Sequence, residues 1–381
     1  MSRRTRWGAA VAGVLLLGLA ACGGGGGDGG STSESASGEP AKVKLQLQWV
    51  AQAQFAGYYA AVDQGYYADE GLDVEIVEGG PDIVPQDVLS AGDVDYAISW
   101  VPKVLGSIEQ GATITDVAQI FERSATTQIS FKDKGITDPA QLAGKKVGSW
   151  GYGNEWELFA GMQKAGVNLS DIKLIQQAFD MNGFLSGDID AAQAMTYNEY
   201  AQVLETKNPK TGELYQPSDL NVIDWNDVGT AMLQDAIWAN SEKLADDPAY
   251  ADQTTAFVKA SIKGWIYARD NPEEAAKIVT AAGSQLGESH QLWMTNEVNK
   301  LIWPSTKGIG LIDDAAWKQT VDIALGTKNE TGATIITKQP PETAKTNQYV
   351  EKALSELKAD GEDVDGKDYQ PITVELKEGG N

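Results

Sequence analysis

Val43, Leu45, Leu47 and Trp49 alternate with Lys44, Gln46 and Gln48, and the alternation runs straight into an aromatic stretch. Leu45 to Tyr59, LQLQWVAQAQFAGYY, thus reads as strand, turn and helix in unbroken succession. A period of two is the pattern of a strand with one buried face. Trp49 then stands at the strand's C-terminal end, where open α/β sheets form their ligand crevice because helix N-termini and uncommitted backbone amides converge there. Phe55, Tyr58 and Tyr59 follow at once. Such a corner suits a flat apolar ligand with polar edges, its ring gripped by Trp49, Phe55 and Tyr58 and its edge atoms met by Gln52 or Gln54. Core packing competes with this reading for each ring, since aromatic residues at helical spacing usually face a core.

The alternation continues. Asp73–Val77 and Tyr96–Trp100 read as strands, Phe55–Tyr67, Pro85–Ser90 and Val101–Gln110 as helices, and Asp116–Phe121 and Thr127–Phe131 as further strands. Trp100 again falls at a strand end. A polar segment near Phe131–Thr137 interrupts the pattern, and Lys145–Trp150, Lys173–Gln176, Ala191–Thr196 and Asn221–Trp225 are the strands of a second α/β unit. After Asp227-Val228-Gly229 the chain reads as helical to Leu357. Helices without strands between them make no sheet of their own, so they are expected to pack back on the first one. The fold class expected is α/β with two lobes, each a sheet flanked by helices, residues 42–130 plus 230–381 forming one and 131–229 the other. A cleft would lie between them, with hinge crossings near Thr126–Ser130 and Val222–Asp235.

The first 21 residues hold three of the chain's 30 basic side chains and none of its 54 acidic ones, followed by an apolar run too short to span a bilayer. That is a secretion signal. Leu19-Ala20-Ala21-Cys22 resembles the lipobox of bacterial lipoproteins, which implies cleavage before Cys22 and lipid on its sulfur. Residues 22–41, rich in Gly and Ser, read as a flexible tether. The net charge of −24 argues against nucleic acid or anionic lipid as a partner. With one cysteine and one histidine, neither an internal disulfide nor a Cys/His metal site is expected, and no cofactor is. His290 reads as a surface or helix-capping residue. The acidic ADGEDVDGKD near the C-terminus fails the spacing of a calcium loop and reads as a solvated turn.

GSWGYGN, Gly148 to Asn154, follows a strand and precedes a helix, the setting in which phosphates bind. Its glycines do not match G-x-G-x-x-G, no GK[ST] follows, and Trp150, Tyr152 and Trp156 are interleaved. These side chains suit a ring better than a pyrophosphate. Asn154 and Glu157 could meet its polar edge, and Tyr197-Asn198 adds another aromatic and amide. No nucleophile elbow, metal cluster or paired-acid pattern occurs.

QWVAQAQFAGYY, DPAQLAGKKVG and GYGNEWE together resemble solute-binding lipoproteins of bacterial ABC importers, in the subgroup related to thiamine-pyrimidine synthesis proteins and to riboflavin- and alkylsulfonate-binding proteins. The resemblance implies a periplasmic-binding-protein fold of type II, a small-molecule ligand, permease and ATPase subunits as partners, attachment to the membrane through Cys22, and a monomer. Relatives that bind the thiamine pyrimidine tend to show W-T-P-N-T-N-H-T-G. Trp49 and Gly57 match it, while Ala51 replaces the proline and Phe55 the histidine; Glu157 matches the glutamate of GYGGPFE. Loss of the histidine favours riboflavin or another larger flat ring over the pyrimidine, with an alkylsulfonate as the alternative. The eukaryotic synthase relatives consume that histidine and need a cysteine-rich motif. Phe55 and the single cysteine speak against that activity here.

Overall fold

A computed structural model describes residues 39–381; the expected signal, Cys22 and nearly all of the tether lie outside the described residues. Ten strands are described: β1 (Ala41–Gln46), β2 (Leu72–Val77), β3 (Tyr96–Trp100), β4 (Ile114–Gln119), β5 (Thr126–Phe131), β6 (Lys146–Ser149), β7 (Lys173–Gln176), β8 (Ala192–Met195), β9 (Leu220–Asp224) and β10 (Asp235–Asn240). The first sheet has the order β2-β1-β3-β10-β4. Its β1 runs parallel to β2 and β3, while β10 is antiparallel to both β3 and β4. In the second sheet β5 pairs antiparallel with β8 and β9, β6 pairs parallel with β7, and the Val147–Ala191 bridge joins β6 to β8.

The burial of each strand follows its place. Val43 and Leu45 turn inward from β1 while Lys44 stays in solvent, as the alternation requires. In β3 all five residues are buried, because helices cover both faces of a central strand. The main core lies between the first sheet and the helices α1 (Ala56–Asp63), α5 (Pro248–Asp270) and α6 (Glu288–Ile302), with α2 (Val101–Glu109) on the opposite face and α3 (Trp156–Lys164) and α4 (Glu199–Leu204) flanking the second sheet. Where α1 crosses α5, a Cβ on Gly264 would stand 2.0 Å from the Gly57 carbonyl oxygen, and one on Gly57 would stand 2.2 Å from the Trp265 ring. Gly57 thus serves helix–helix approach, whatever else its motif does.

Two expectations are corrected. Asp235–Asn240 is a strand, not part of a crossing into helices. DAIWAN is short and buried on both faces, so it shows no alternation to mark it. The second correction moves the crossings: Thr126–Phe131 belongs to the second sheet through its pairing with β8 and β9, so the chain passes between sheets at 120–125 and 225–234.

Candidate functional site

The C-terminal ends of both sheets' parallel strands face one cavity of about 770 Å³. On the first sheet's side, β1 delivers Trp49, half-buried, and β3 delivers Trp100. Between them lies Asp235, the first residue of β10. Its Oδ1 accepts from Gln48 Nε2 at 2.6 Å and Trp100 Nε1 at 2.8 Å, and its Oδ2 from Gln54 Nε2 at 2.9 Å. Gln52 Nε2 in turn donates to Gln54 Oε1 at 2.7 Å. One carboxylate thereby fixes two amides and an indole. Burial pushes the Asp235 carboxyl up to about 7 despite those three hydrogen bonds, which favour its ionised form. Lys103, in the first turn of α2, sets its ammonium 4.7 Å from the centre of the Trp100 ring.

The second sheet's side is built from the segments after β6, β7 and β8. Trp150 follows β6 and is buried. Tyr152 stands at the rim, 88% exposed and with φ of 53°, a left-handed conformation that few side chains favour. Phe179, after β7, is 45% exposed and reaches across the cavity to Trp49, ring centroids 4.8 Å apart; on its other side Trp150 lies roughly parallel to it at 6.4 Å. Asn154 Nδ2 closes the glycine turn onto the Gly151 carbonyl at 2.7 Å. After β8, Tyr197 and Asn198 line the cavity with Glu199 beside them. Glu199 accepts from Met195 N–H at 3.0 Å and from Asn198 Nδ2 at 3.1 Å, and burial pushes its carboxyl up to about 7. Among the described residues no three His, Cys, Asp or Glu side chains converge as a metal site would need.

Residues 52–275 match the family described as NMT1/THI5 like. The chain belongs to the NMT1/THI5-like family. Its relatives include the formylaminopyrimidine-binding protein of Halalkalibacterium halodurans, 24% identical over 62% of this chain and 69% of that protein. The riboflavin-binding protein RibY of Chloroflexus aurantiacus is 23% identical over 73% and 79%. Others are named 4-amino-5-hydroxymethyl-2-methylpyrimidine phosphate synthase. Among solved structures, the periplasmic aliphatic sulphonate binding protein SsuA from Escherichia coli superposes with a TM-score of 0.56 at 15% identity, covering 89% of this chain and 95% of that one. The fold is that of periplasmic binding proteins, as the sequence led one to expect.

In this NMT1/THI5-like chain the cavity brings together Trp49, Gln54, Trp100, Tyr152, Asn154, Trp156, Tyr197 and Asn198. Three other candidates are elsewhere. Phe55 and Tyr58 are core residues, fully buried, with Tyr58 edge-on to Trp265 at 5.5 Å. The reason is the turn at Ala53–Phe55, which α6 clamps by accepting the Ala53 N–H on Gln291 Oε1 at 2.7 Å; α1 continues from it, and its i, i+3 spacing aims 55 and 58 inward together. Glu157 points along α3 to the crossings, accepting from Met232 N–H at 2.6 Å and Ser124 Oγ at 2.9 Å. It braces both inter-sheet segments, and burial pushes its carboxyl up to about 8.

His290, expected at the surface, is buried on α6 between Glu205 Oε1 at 2.8 Å and Asn198 Oδ1 at 3.1 Å. From the same helix Trp293 Nε1 donates to the Thr196 carbonyl at 3.0 Å. Helix α6 therefore holds segments of both cavity walls. Sequence reasoning missed Asp235 because it missed β10. It missed Lys103 although the residue follows the strand-end Trp100 by three positions in a helix's first turn, and Phe179 although it follows a strand in the same way as Trp150.

Proposed function

We propose that this protein captures a flat heteroaromatic solute outside the cell for an ABC importer, held to the membrane by lipid on Cys22 and delivering its ligand to permease and ATPase subunits. The observation that carries the reading is the pair of aromatic walls, Trp49 and Trp100 on one sheet and Trp150 and Phe179 on the other, enclosing a cavity of ring-binding size. Relatives named for a pyrimidine precursor and for riboflavin support that ligand class. A cavity of about 770 Å³ has room for a flavin-like ring as well as for the pyrimidine. Capture without turnover fits Phe55, a core side chain where the synthase relatives' motif has histidine.

The lobes would close about residues 120–125 and 225–234, since only the closed state lets both walls touch one solute. Calorimetric titration with riboflavin and, separately, with an aminopyrimidine alcohol tests the reading, tryptophan fluorescence being quenched on binding. Binding of neither heterocycle at micromolar concentrations, with an alkanesulfonate binding instead, would replace it by the alternative that the SsuA-like fold keeps open.

A further inference from the structure

The buried acceptors around the cavity are engaged, whereas one strong donor is not. Asp235 accepts three hydrogen bonds, both Glu199 oxygens are occupied, Gln54 Oε1 accepts from Gln52, and Gln86 Oε1 accepts from Ser99 Oγ at 3.1 Å. By contrast, the Lys103 ammonium forms no hydrogen bond or ion pair with any described residue and has only the Trp100 ring beneath it. An ammonium left without a partner in a cavity calls for a ligand that brings an acceptor.

We infer that the ligand carries a negatively charged oxygen group, a carboxylate, phosphate or sulfonate, which Lys103 binds. The inference rests on the ring-capture reading for the rest of the ligand. Two carboxyl groups face Lys103, Asp235 from β10 and Glu155 ahead of α3, and neither pairs with it directly; Glu155 is turned to the Gly153 N–H at 2.9 Å. Asp82 on the rim and Glu199 are the other acids at the cavity. Burial pushes the Lys103 ammonium down to about 8, the behaviour of a desolvated cation short of a counterion. An anion would supply the counterion and hold the proton in place. Asp235 and Glu155, as they ionise, act against an anion, so both effects weaken anion binding as pH rises, and above pH 8 the loss belongs to Lys103.

The test is calorimetry on the full chain with two matched pairs, riboflavin against its 5′-phosphate and an aminopyrimidine alcohol against its phosphate. The charged member of the preferred pair is expected to bind roughly tenfold more tightly, the strength of one charge-assisted hydrogen bond. Lys103→Met is expected to erase the difference, Lys103→Arg to keep it, and the wild-type preference to decline between pH 8 and pH 9.5 while the Met variant shows no such decline. Equal or tighter binding of the neutral member, or a preference that survives Lys103→Met, overturns the inference while leaving ring capture intact. Should neither pair bind but an alkanesulfonate bind in a Lys103-dependent way, ring capture fails and the anion site stands. Failure of all these probes to bind overturns both.

Discussion

The two walls of the cavity are built on different terms. On the first sheet's side, Gln48, Gln54 and Trp100 are all tied to one buried carboxylate, and Trp100 is 7% exposed. On the second sheet's side the rings stand on loops: Tyr152 in a strained backbone conformation at the rim, Phe179 nearly half exposed, Trp150 with its N–H unmet. The amides and indole tied to Asp235 on the first wall keep their places whether or not a ligand is present, with Lys103 standing open beside them, whereas the exposed rings of the second wall, Tyr152 and Phe179, gain their partners only on binding. The difference teaches a division of labour: the first wall positions the ligand and the second closes on it.

The largest effect that would break this comparison is expected at Asp235. Asp235→Ala leaves three donors without their acceptor, and urea denaturation is expected to show a loss on the order of 3 kcal/mol of folding stability. A loss as small as that of a surface substitution would mean that the first wall is not held by this carboxylate. Trp49→Ala comes next, with ligand affinity expected to fall by about 1–3 kcal/mol, roughly tenfold to a hundredfold. Phe179→Ala sharpens the contrast. Its stability should stay within about 0.5 kcal/mol of wild type, as for an exposed side chain, while affinity drops by about 1 kcal/mol.

The smallest effect on affinity is expected at Glu157, which touches the crossings and not the ligand. Glu157→Gln keeps an acceptor for Met232 N–H and should leave binding within about threefold. Its signature is in stability against pH. The native carboxyl holds its proton up to about 8, whereas the unfolded chain releases it near the ordinary 4.5, so between these limits the native state binds more protons and stability falls as pH rises. Asp235 and Glu199, both raised to about 7, slope the same way. Thermal melts from pH 5 to 8.5 should show a shallower decline for Glu157→Gln than for wild type.

Much of this was legible in the sequence, for reasons that also explain the gaps. Trp49 and Trp100 could be placed at the crevice because period-two strands end at them. Phe55 and Tyr58 could not be told from cleft residues, since the spacing that puts two rings on one helical face does not say which face is covered; the cover is α5 and α6, more than 200 residues later. Glu157 follows Trp156, and adjacent helical residues diverge by about 100°. Asp235 was hidden with β10, whose burial on both faces removes the alternation that would mark a strand. His290 became a buried link only through its contacts with Glu205 and Asn198, neither of which is near it in sequence.

The most direct test is a crystal structure of the complex with whichever heterocycle the titrations select. The expected result is a ring in van der Waals contact with Trp49 and Trp150, Phe179 displaced from its present place between them, and the three hydrogen bonds to Asp235 unchanged. A ligand seated away from these rings, or a first wall rebuilt around it while Phe179 stays where it is, would contradict the account.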